Sequence, residues 1–140
     1  MVCGLDTNVL VRYLLNDDPQ QAAIARQRIQ QAVTDGEPVR ISLLTILETE
    51  WVLRSYGKRD KATIIGVFQA LLESRDVEIE LEESLEQALH YYKNSNADFA
   101  DCLMSSRYQR SGCAAMLTFD EKASKLPGCE LLEATGLSSV

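Results

Sequence analysis

Short apolar runs and helix-period patterns alternate along the whole chain. An apolar run bounded by turn residues predicts a buried strand, and apolar positions that recur every three or four residues predict a helix. The predicted strands are residues 2–5, 39–42, 77–81, 115–117 and 129–132. The predicted helices are residues 7–15, 19–33, 43–56, 61–73, 84–93, 97–110 and 121–125. Strands that alternate with helices in this way indicate an α/β sandwich around a parallel sheet.

Residues that begin and end helices support these boundaries. Pro19 lies at the first turn of its helix, where proline is tolerated. Asp60 precedes the helix at 61–73 as a predicted N-cap, and Gly57 and Gly112 follow two other helices as stop signals. With 140 residues and no repeat or low-complexity tract, residues 1–140 are expected to form a single domain.

The composition narrows the class of protein. Hydrophobic residues make up 46% and charged residues 25% of the chain, as in ordinary globular proteins. No apolar stretch has the length that a bilayer span needs, and the N-terminus lacks the basic region of a signal peptide. We therefore expect a cytoplasmic protein that does not enter the membrane.

Cysteine and histidine do not suggest a zinc site. Cys3, Cys102, Cys113 and Cys129 form no C-x-x-C pair, and His90 is the one histidine. The cysteines are expected to be small, reduced packing residues, and His90 to have no part in function.

Two aspartates follow predicted strands directly. Asp6 ends the strand at 2–5, and Asp120 comes after the strand at 115–117. Ligands of open α/β sheets bind beyond the carboxyl ends of the strands, so both acids are site candidates. For Asp120 an alternative stays open, because Thr118 and Glu121 fit a capping box at an ordinary helix start.

A third acid lies on the helix at 43–56. Glu48 has Leu44 four residues before it and Trp51 three residues after it, which predicts a carboxylate on the apolar face. An ionised group there needs a partner or a cation, although it could also reach solvent at the edge of that face. Glu50 is expected on the solvent face, in an ion pair with Arg54.

The last two acids belong to the helix at 97–110. Asp98 and Asp101 are three residues apart and therefore share a helix face. Ser95 is a candidate cap with Asp98 as its reciprocal partner, so Asp98 is either a cap or a ligand. Asp101 lies too far into the helix to cap it, yet near enough to its N-terminus to be expected to stay ionised.

These acids are expected to converge on one edge of the sheet. Carboxylates held close together raise one another's pKa values unless a cation neutralises them. An all-oxygen ligand set selects hard ions such as Mg²⁺ or Mn²⁺. Sites of this kind hydrolyse phosphodiesters, because the metal activates water and stabilises the charge on phosphorus.

Four segments in order resemble one known family. They are LDTNVLVRYL, LETEWVLRSYG, ADFADCLMSS and LTFDEKASKLPG, and together they are similar to the motifs of PIN-domain ribonucleases, especially toxins of the VapBC type of toxin–antitoxin pair. The resemblance implies a PIN-like three-layer α/β/α sandwich with a central, mostly parallel sheet of four to five strands. It also implies a Mg²⁺- or Mn²⁺-dependent endoribonuclease that acts on tRNA or other structured RNA, forms a homodimer and is occluded by a VapB-type antitoxin.

The resemblance assigns roles by position. The family's core catalytic and metal-binding acids fall on Asp6, Glu48, Asp101 and Asp120, and Asp98 matches an acid that many relatives have. Asn8 and Thr118 match polar residues that are expected to orient ligands or water. The segment LMSSRY departs from the family, whose members commonly have small apolar residues there, and this puts its packing in doubt.

The net charge of −7 is unusual for a protein that binds RNA. Bound cations would reverse the sign of the charge locally. Basic residues in three segments are then candidates to contact phosphates around the site, with a solvated surface as the alternative for each. They are Arg54, Lys58, Arg59, Arg107, Arg110, Lys122 and Lys125.

Two rival functions come from other classes. A haloacid-dehalogenase-like phosphatase also has an acid after its first strand, but it needs a second aspartate where this chain has Asn8. A catalytically inactive interaction module leaves the predicted position of Glu48 on an apolar face unexplained. The sequence names neither the RNA nor the cleavage position.

Overall fold

A computed structural model describes residues 1–133 of the chain. Two compact units are present, the first covering Met1–Glu82 and the second beginning at Glu83. Each unit is built from helices and parallel strands. In the part of the chain that the structure describes, no helix is both long enough and apolar enough to cross a membrane.

The first unit contains four helices and two strands. They are α1 (Thr7–Leu15), α2 (Pro19–Thr34), β1 (Val39–Ile41), α3 (Leu43–Ser55), α4 (Lys61–Glu73) and β2 (Val77–Ile79). β1 and β2 pair in parallel, with Val39 opposite Val77 and Ile41 opposite Ile79. Along β1, Val39 and Ile41 are buried and Arg40 between them is exposed, as the alternation of side chains in a strand requires.

The predicted first strand is reduced to a single parallel bridge between Gly4 and Arg40. The backbone N–H of Leu5 donates to the Arg40 oxygen at 3.0 Å, and the Arg40 N–H donates to the Cys3 oxygen at 2.8 Å. The prediction that this strand is buried is wrong, because Val2 is 42% exposed and Gly4 is also exposed. An apolar run indicates an extended conformation, but by itself it does not fix how much of the run is covered.

The core of the first unit forms where helices cover the two strands. Its largest fully buried side chains are Leu10, Ile29, Ile41, Ile46, Leu53, Ile64 and Phe68. The sequence also predicts an apolar stripe on α4 that could serve as a dimer face or cover the sheet; it consists of Ile64, Val67, Phe68, Leu71 and Leu72. Ile64, Phe68 and Leu71 are buried and the other two are partly exposed, which favours a cover for the sheet.

Up to residue 133, the second unit contains three helices and two strands. They are α5 (Glu82–Lys93), α6 (Phe99–Arg110), β3 (Met116–Thr118), α7 (Glu121–Ser124) and β4 (Cys129–Leu131). β3 and β4 pair in parallel, with Met116 opposite Cys129. Tyr92 of α5 and Phe99 of α6 meet edge to face, with ring centroids 5.5 Å apart.

The two serines of LMSSRY are buried and hydrogen-bonded. This is the segment in which the chain departs from the family pattern. Ser105 is 1% exposed and its hydroxyl donates to the Pro127 carbonyl oxygen at 3.0 Å. Ser106 is fully buried, and its hydroxyl lies 2.8 Å from both the Ser84 carbonyl oxygen and Gln87 Oε1. The hydrogen bonds of Ser106 therefore join α6 to α5.

Ser106→Ala is expected to lower the free energy of unfolding by about 1–2 kcal/mol, because it removes a buried hydroxyl and leaves its acceptors without that donor. Ser111→Ala is the matched control, since Ser111 is exposed and its hydroxyl contacts only nearby groups, the Tyr108 carbonyl oxygen and Cys113 Sγ. Urea denaturation of the three proteins measures both changes. Equal stability of wild type and Ser106→Ala would show that the Ser106 hydrogen bonds contribute nothing.

Candidate functional site

Asp6 lies at the N-terminus of α1. Its extended backbone (φ −75°, ψ 156°) makes it the N-cap, and its Oδ1 accepts from the Thr7 N–H at 2.7 Å. The Asp6 side chain is exposed at the end of the segment that bridges to β1. The chain thus directs this carboxylate to solvent at the point where extended structure turns into helix.

Glu48 of α3 is linked to the start of α1 through Thr7. The Thr7 hydroxyl donates to Glu48 Oε2 at 3.2 Å, so the residue next to Asp6 also holds Glu48. The Thr45 hydroxyl donates to the Leu5 carbonyl oxygen at 3.2 Å, a second contact between α3 and the segment before Asp6. Asp6 and Glu48 therefore belong to one cluster in the first unit.

The two glutamates of α3 lie on the faces opposite to those that their spacing predicted. Glu48 is exposed, whereas Glu50 is only 3% exposed. The expected ion pair is present, with Arg54 Nε donating to Glu50 Oε2 at 2.8 Å. α3 has apolar residues around its whole circumference, so spacing alone did not determine which face is buried; Leu44 and Trp51, taken as core neighbours of Glu48, are exposed.

Three aspartates of the second unit come together. Single carboxylate oxygens of Asp98, Asp101 and Asp120 all lie within 4.8 Å of one another. Asp98 and Asp101 come from the start of α6, and Asp120 from the loop after β3. This aspartate cluster, Asp98, Asp101 and Asp120, contains three of the acids that the sequence singled out.

The expected pairing of Ser95 with Asp98 at the helix start is not formed. Asp98 itself has the extended N-cap backbone (φ −67°, ψ 152°), so α6 begins at Phe99 and not at residue 97. Its side chain makes no capping hydrogen bond, and the Ser95 hydroxyl accepts from the Ala97 N–H at 3.2 Å. The Asp98 carboxylate is therefore not used as a cap, which favours the ligand role.

Asp120 caps α7 and contributes to the aspartate cluster at the same time. Its Oδ1 accepts from the Lys122 N–H at 2.8 Å and from the Ala123 N–H at 3.4 Å. The Asp120 N–H donates to Thr118 Oγ1 at 3.0 Å, so Thr118 fixes the backbone that carries the acid. Asp120, and not Thr118 as the capping box supposed, is the N-cap.

The aspartate cluster changes the acidity of its least exposed member. Partial burial raises the pKa of Asp101 above its ordinary value, and the nearby charges of Asp120 and Asp98 raise it further. These effects act in the direction opposite to that of the helix N-terminus, which favours the ionised form. The repulsion expected among neighbouring carboxylates is thus confirmed for Asp101.

The cluster has the ligand chemistry of a hard divalent cation. Three carboxylates in reach of one point supply oxygen ligands alone, the set that suits Mg²⁺ and Mn²⁺. A cation would also remove the repulsion that raises the Asp101 pKa. The residues present therefore fit such an ion.

Some of the candidate RNA-binding residues make hydrogen bonds or ion pairs within their own unit, and others have exposed side chains. Arg107 donates to Ser84 Oγ at 3.1 Å, and Arg110 pairs with Glu83 at 3.3 Å. By contrast, the side chains of several others are exposed. They are Lys58, Arg59, Lys122 and Lys125. Arg107 and Arg110 thus have structural contacts within the second unit, and their RNA role stays a prediction.

Two polar residues beside Asp6 have different surroundings. Asn8 lines a cavity of about 420 Å³ between α1 and α2. The lining of this cavity does not test the expected role of Asn8 in orienting ligands or water, which stays a prediction. Thr7, which sequence analysis passed over, is 7% exposed and contacts both Asp6 and Glu48. A threonine directly after a strand-ending aspartate was the available signal, but nothing in the sequence showed that α3 comes within reach of it.

Comparison with known proteins agrees with the sequence resemblance. The family model described as PIN domain matches residues 4–128. A protein named VapC ribonuclease, from Aquifex aeolicus (strain VF5), is 25% identical over 122 residues, which cover 87% of this chain and 90% of that protein. The matched range includes the five acids that the sequence singled out.

Proposed function

The chain belongs to the PIN domain family, and on that premise we propose that it is a Mg²⁺- or Mn²⁺-dependent endoribonuclease, the toxin of a toxin–antitoxin pair. The α/β sandwich of that family is the fold of this chain. The aspartate cluster carries the proposal, because its three carboxylates have oxygens within 4.8 Å of one another and are the ligands that such a cation needs. Partial burial, together with the charges of Asp120 and Asp98, raises the pKa of Asp101 in this cluster.

Each acid has a role in the proposal. Asp98, Asp101 and Asp120 hold the cation, and Asp120 is kept in place by the Lys122 N–H and by the contact of its own N–H with Thr118. When bound, Mg²⁺ or Mn²⁺ lowers the pKa of a ligated water and stabilises negative charge on the phosphate.

Asp6 and Glu48 are proposed to serve the same centre. Thr7 supports this role, since its backbone orients Asp6 and its hydroxyl orients Glu48, so that one residue fixes both carboxylates. The family match runs from residue 4 to residue 128 and thus includes acids of both units. On the same ground we propose that residues 1–140 act as a single PIN domain.

A comparison of substrates separates this proposal from the phosphatase alternative. The purified protein with Mn²⁺ is expected to cut RNA into fragments and to leave a small phosphomonoester intact. Release of inorganic phosphate from the monoester, with RNA left whole, would support the phosphatase. An inactive interaction module would cleave neither substrate and would bind no Mn²⁺ through these acids in a calorimetric titration.

RNA binding is expected to require the metal, because a chain of net charge −7 repels a polyanion until cations neutralise its acids. The affinity should fall as salt rises, since phosphate contacts release counterions. The measurement compares RNA affinity of wild type in chelator with that of Asp6→Ala in Mn²⁺, a variant expected to be inactive, at two salt concentrations. Equal affinity of wild type in chelator and of Asp6→Ala in Mn²⁺ would show that basic residues, and not metals, carry recognition.

The partners follow from the family and from the VapC relative. We propose that a VapB-type antitoxin occludes the acidic site, that tRNA or another structured RNA is the substrate, and that the protein acts in the cytoplasm. Sequencing of RNA ends after brief induction in cells identifies the substrate. A small overlapping upstream reading frame would support the antitoxin.

A homodimer is proposed for the same reason. The burial of Ile64, Phe68 and Leu71 makes α4 a poor dimer face, so we expect the contact to use other helices. Light scattering at micromolar concentration is expected to give twice the mass of the 15.6 kDa chain. The mass of a single chain would contradict the dimer and would leave the cleavage chemistry untouched.

A further inference from the structure

One face of α3 displays large apolar side chains on either side of Glu48. Leu44, four residues before Glu48, is 72% exposed, and Trp51, three residues after it, is 49% exposed. Residues at these spacings share a helix face, and Trp51 lies about 4.5 Å further along the axis than Glu48. An indole is thus within the reach of one nucleotide from a proposed catalytic carboxylate.

The indole is held by a second aromatic ring. Trp51 and Tyr56 meet edge to face with centroids 5.2 Å apart and an interplanar angle of 79°. Tyr56, the C-cap of α3, is itself 73% exposed. The two rings thus form one exposed aromatic surface, which we call the Trp51–Tyr56 platform.

The opposite face of the helix fixes this orientation. Glu50 is buried and Arg54 Nε donates to it at 2.8 Å, so a rotation of α3 that buried Trp51 would expose the Glu50 carboxylate and break its pairing. Leu53, on the same side as Glu50, is fully buried. The exposure of Trp51 is therefore a consequence of how the helix packs.

We propose that the Trp51–Tyr56 platform stacks an unpaired base of the RNA beside the phosphate that is cleaved. The substrate class is then RNA with a single-stranded segment at the cleavage position, such as a loop or an end, because a base in a duplex does not expose its face. Exposed Lys58 and Arg59 follow the platform directly and supply charge for the flanking phosphates. This inference rests on the proposed ribonuclease function and on Glu48 as one of its acids.

A second copy of the chain is the other occupant that an exposed apolar face suggests. The centres of protein interfaces are depleted of charged residues. Here a carboxylate lies between the two apolar side chains, and two basic residues follow the aromatic pair. This mixture of aromatic surface, acid and bases fits a nucleotide better than it fits another copy.

The one tryptophan of the chain reports directly on stacking. In Mg²⁺, rapid mixing with a short oligoadenylate is expected to quench the Trp51 emission, and a gel of the same sample confirms that the RNA is still intact. An oligomer of the same length without bases should leave the emission unchanged. Equal quenching by both oligomers, or quenching by neither, would overturn the proposal.

Substitutions separate stacking from loss of apolar surface. Trp51→Ala is expected to raise the KM for single-stranded RNA about tenfold, in line with the loss of one stacked base, and Trp51→Phe should recover most of that loss. Ile24→Ala is the matched control, because Ile24 is 61% exposed on α2 and belongs to no aromatic pair. An unchanged KM in Trp51→Ala would contradict the platform.

The outcomes also distinguish this inference from the proposed function. RNA cleavage without quenching of the Trp51 emission would support the ribonuclease function and contradict base stacking on the platform. Quenching that depends on the bases, without any cleavage, would support base stacking on the platform and contradict the ribonuclease function. Trp51 emission that changes when the protein alone is diluted, and does not respond to RNA, would show that a second copy covers the face and would overturn the inference.

Discussion

Asp101→Asn is expected to lower the rate of RNA cleavage by at least about 10²-fold, the scale of losing one strong electrostatic contact to a transition state. It should also make the metal-free protein more stable near neutral pH. Asp101 is held near Asp98 and Asp120, so an uncharged amide relieves repulsion that wild type bears until a cation is bound. A gel assay with Mn²⁺ measures the first change, and denaturation in chelator measures the second.

The stability difference should depend on pH in a defined direction. The folded pKa of Asp101 is raised above 3.8, so the folded state keeps this proton over a range in which the unfolded state has already lost it. Stability then falls as pH rises from that value through the raised pKa, by the linkage of proton binding to unfolding. Wild type and Asp101→Asn should be closest in stability at about pH 3 and furthest apart at about pH 7. A constant difference would contradict this account of the aspartate cluster.

Asp60→Asn is the matched control, because it is an aspartate whose pKa is shifted the other way. The Thr63 side chain and backbone N–H lower the pKa of Asp60 below 3.8 at the start of α4. Its contribution to stability is present above 3.8 and is lost as pH falls through the lowered pKa. Asp60→Asn should therefore lose stability at neutral pH, with a difference that shrinks on acidification, and should cleave RNA as wild type does.

Glu48→Gln is expected to lower the cleavage rate and Glu50→Gln the stability, although the two residues are only two positions apart on α3. Glu48 is exposed and touches Thr7, so its substitution should lower the cleavage rate about 10²-fold and leave stability nearly unchanged. Glu50 is 3% exposed and paired with Arg54, so its substitution should cost about 1–3 kcal/mol of unfolding free energy. The rate per folded Glu50→Gln molecule should match wild type.

Urea denaturation and a cleavage assay on the same preparations measure both quantities. The sequence alone had suggested that Glu50→Gln would be nearly silent, and the buried pair with Arg54 reverses that expectation. A stable Glu50→Gln protein without activity would show that Glu50, and not Glu48, is the functional acid. Equal rates for wild type and Glu48→Gln would remove Glu48 from the site.

Local signals predicted most of the secondary structure. α1 and α4 have the predicted bounds, because Asp6 and Asp60 cap them and each cap is encoded within a few residues. The α/β class followed from the alternation of strands and helices, and the parallel pairing of β1 with β2 and of β3 with β4 agrees with it. Asp6 and Asp120 were found because each follows an apolar strand, and Asp98 and Asp101 because their spacing places them on one helix face. Glu48 was singled out from a predicted apolar face that is in fact exposed, so its selection now depends on the family resemblance.

The features that sequence did not provide depend on long-range packing. Glu48 and Glu50 were assigned to the wrong faces because α3 is apolar on all sides, so its burial depends on which neighbours it meets. The contact of Thr7 with Glu48 joins residues 41 positions apart. By contrast, the meeting of Asp98, Asp101 and Asp120 in the second unit was expected from the sequence.

Cleavage of RNA by metal-stripped protein, before and after Mn²⁺ is added back, tests the central claim most directly. The samples are wild type, Asp6→Asn from the first unit, Asp101→Asn from the second, and Glu50→Gln as the control outside the site. Only wild type and Glu50→Gln should cleave, and only with Mn²⁺. Cleavage by wild type in chelator, or a wild-type rate in Asp6→Asn, would contradict a metal-dependent ribonuclease that uses the acids of both units.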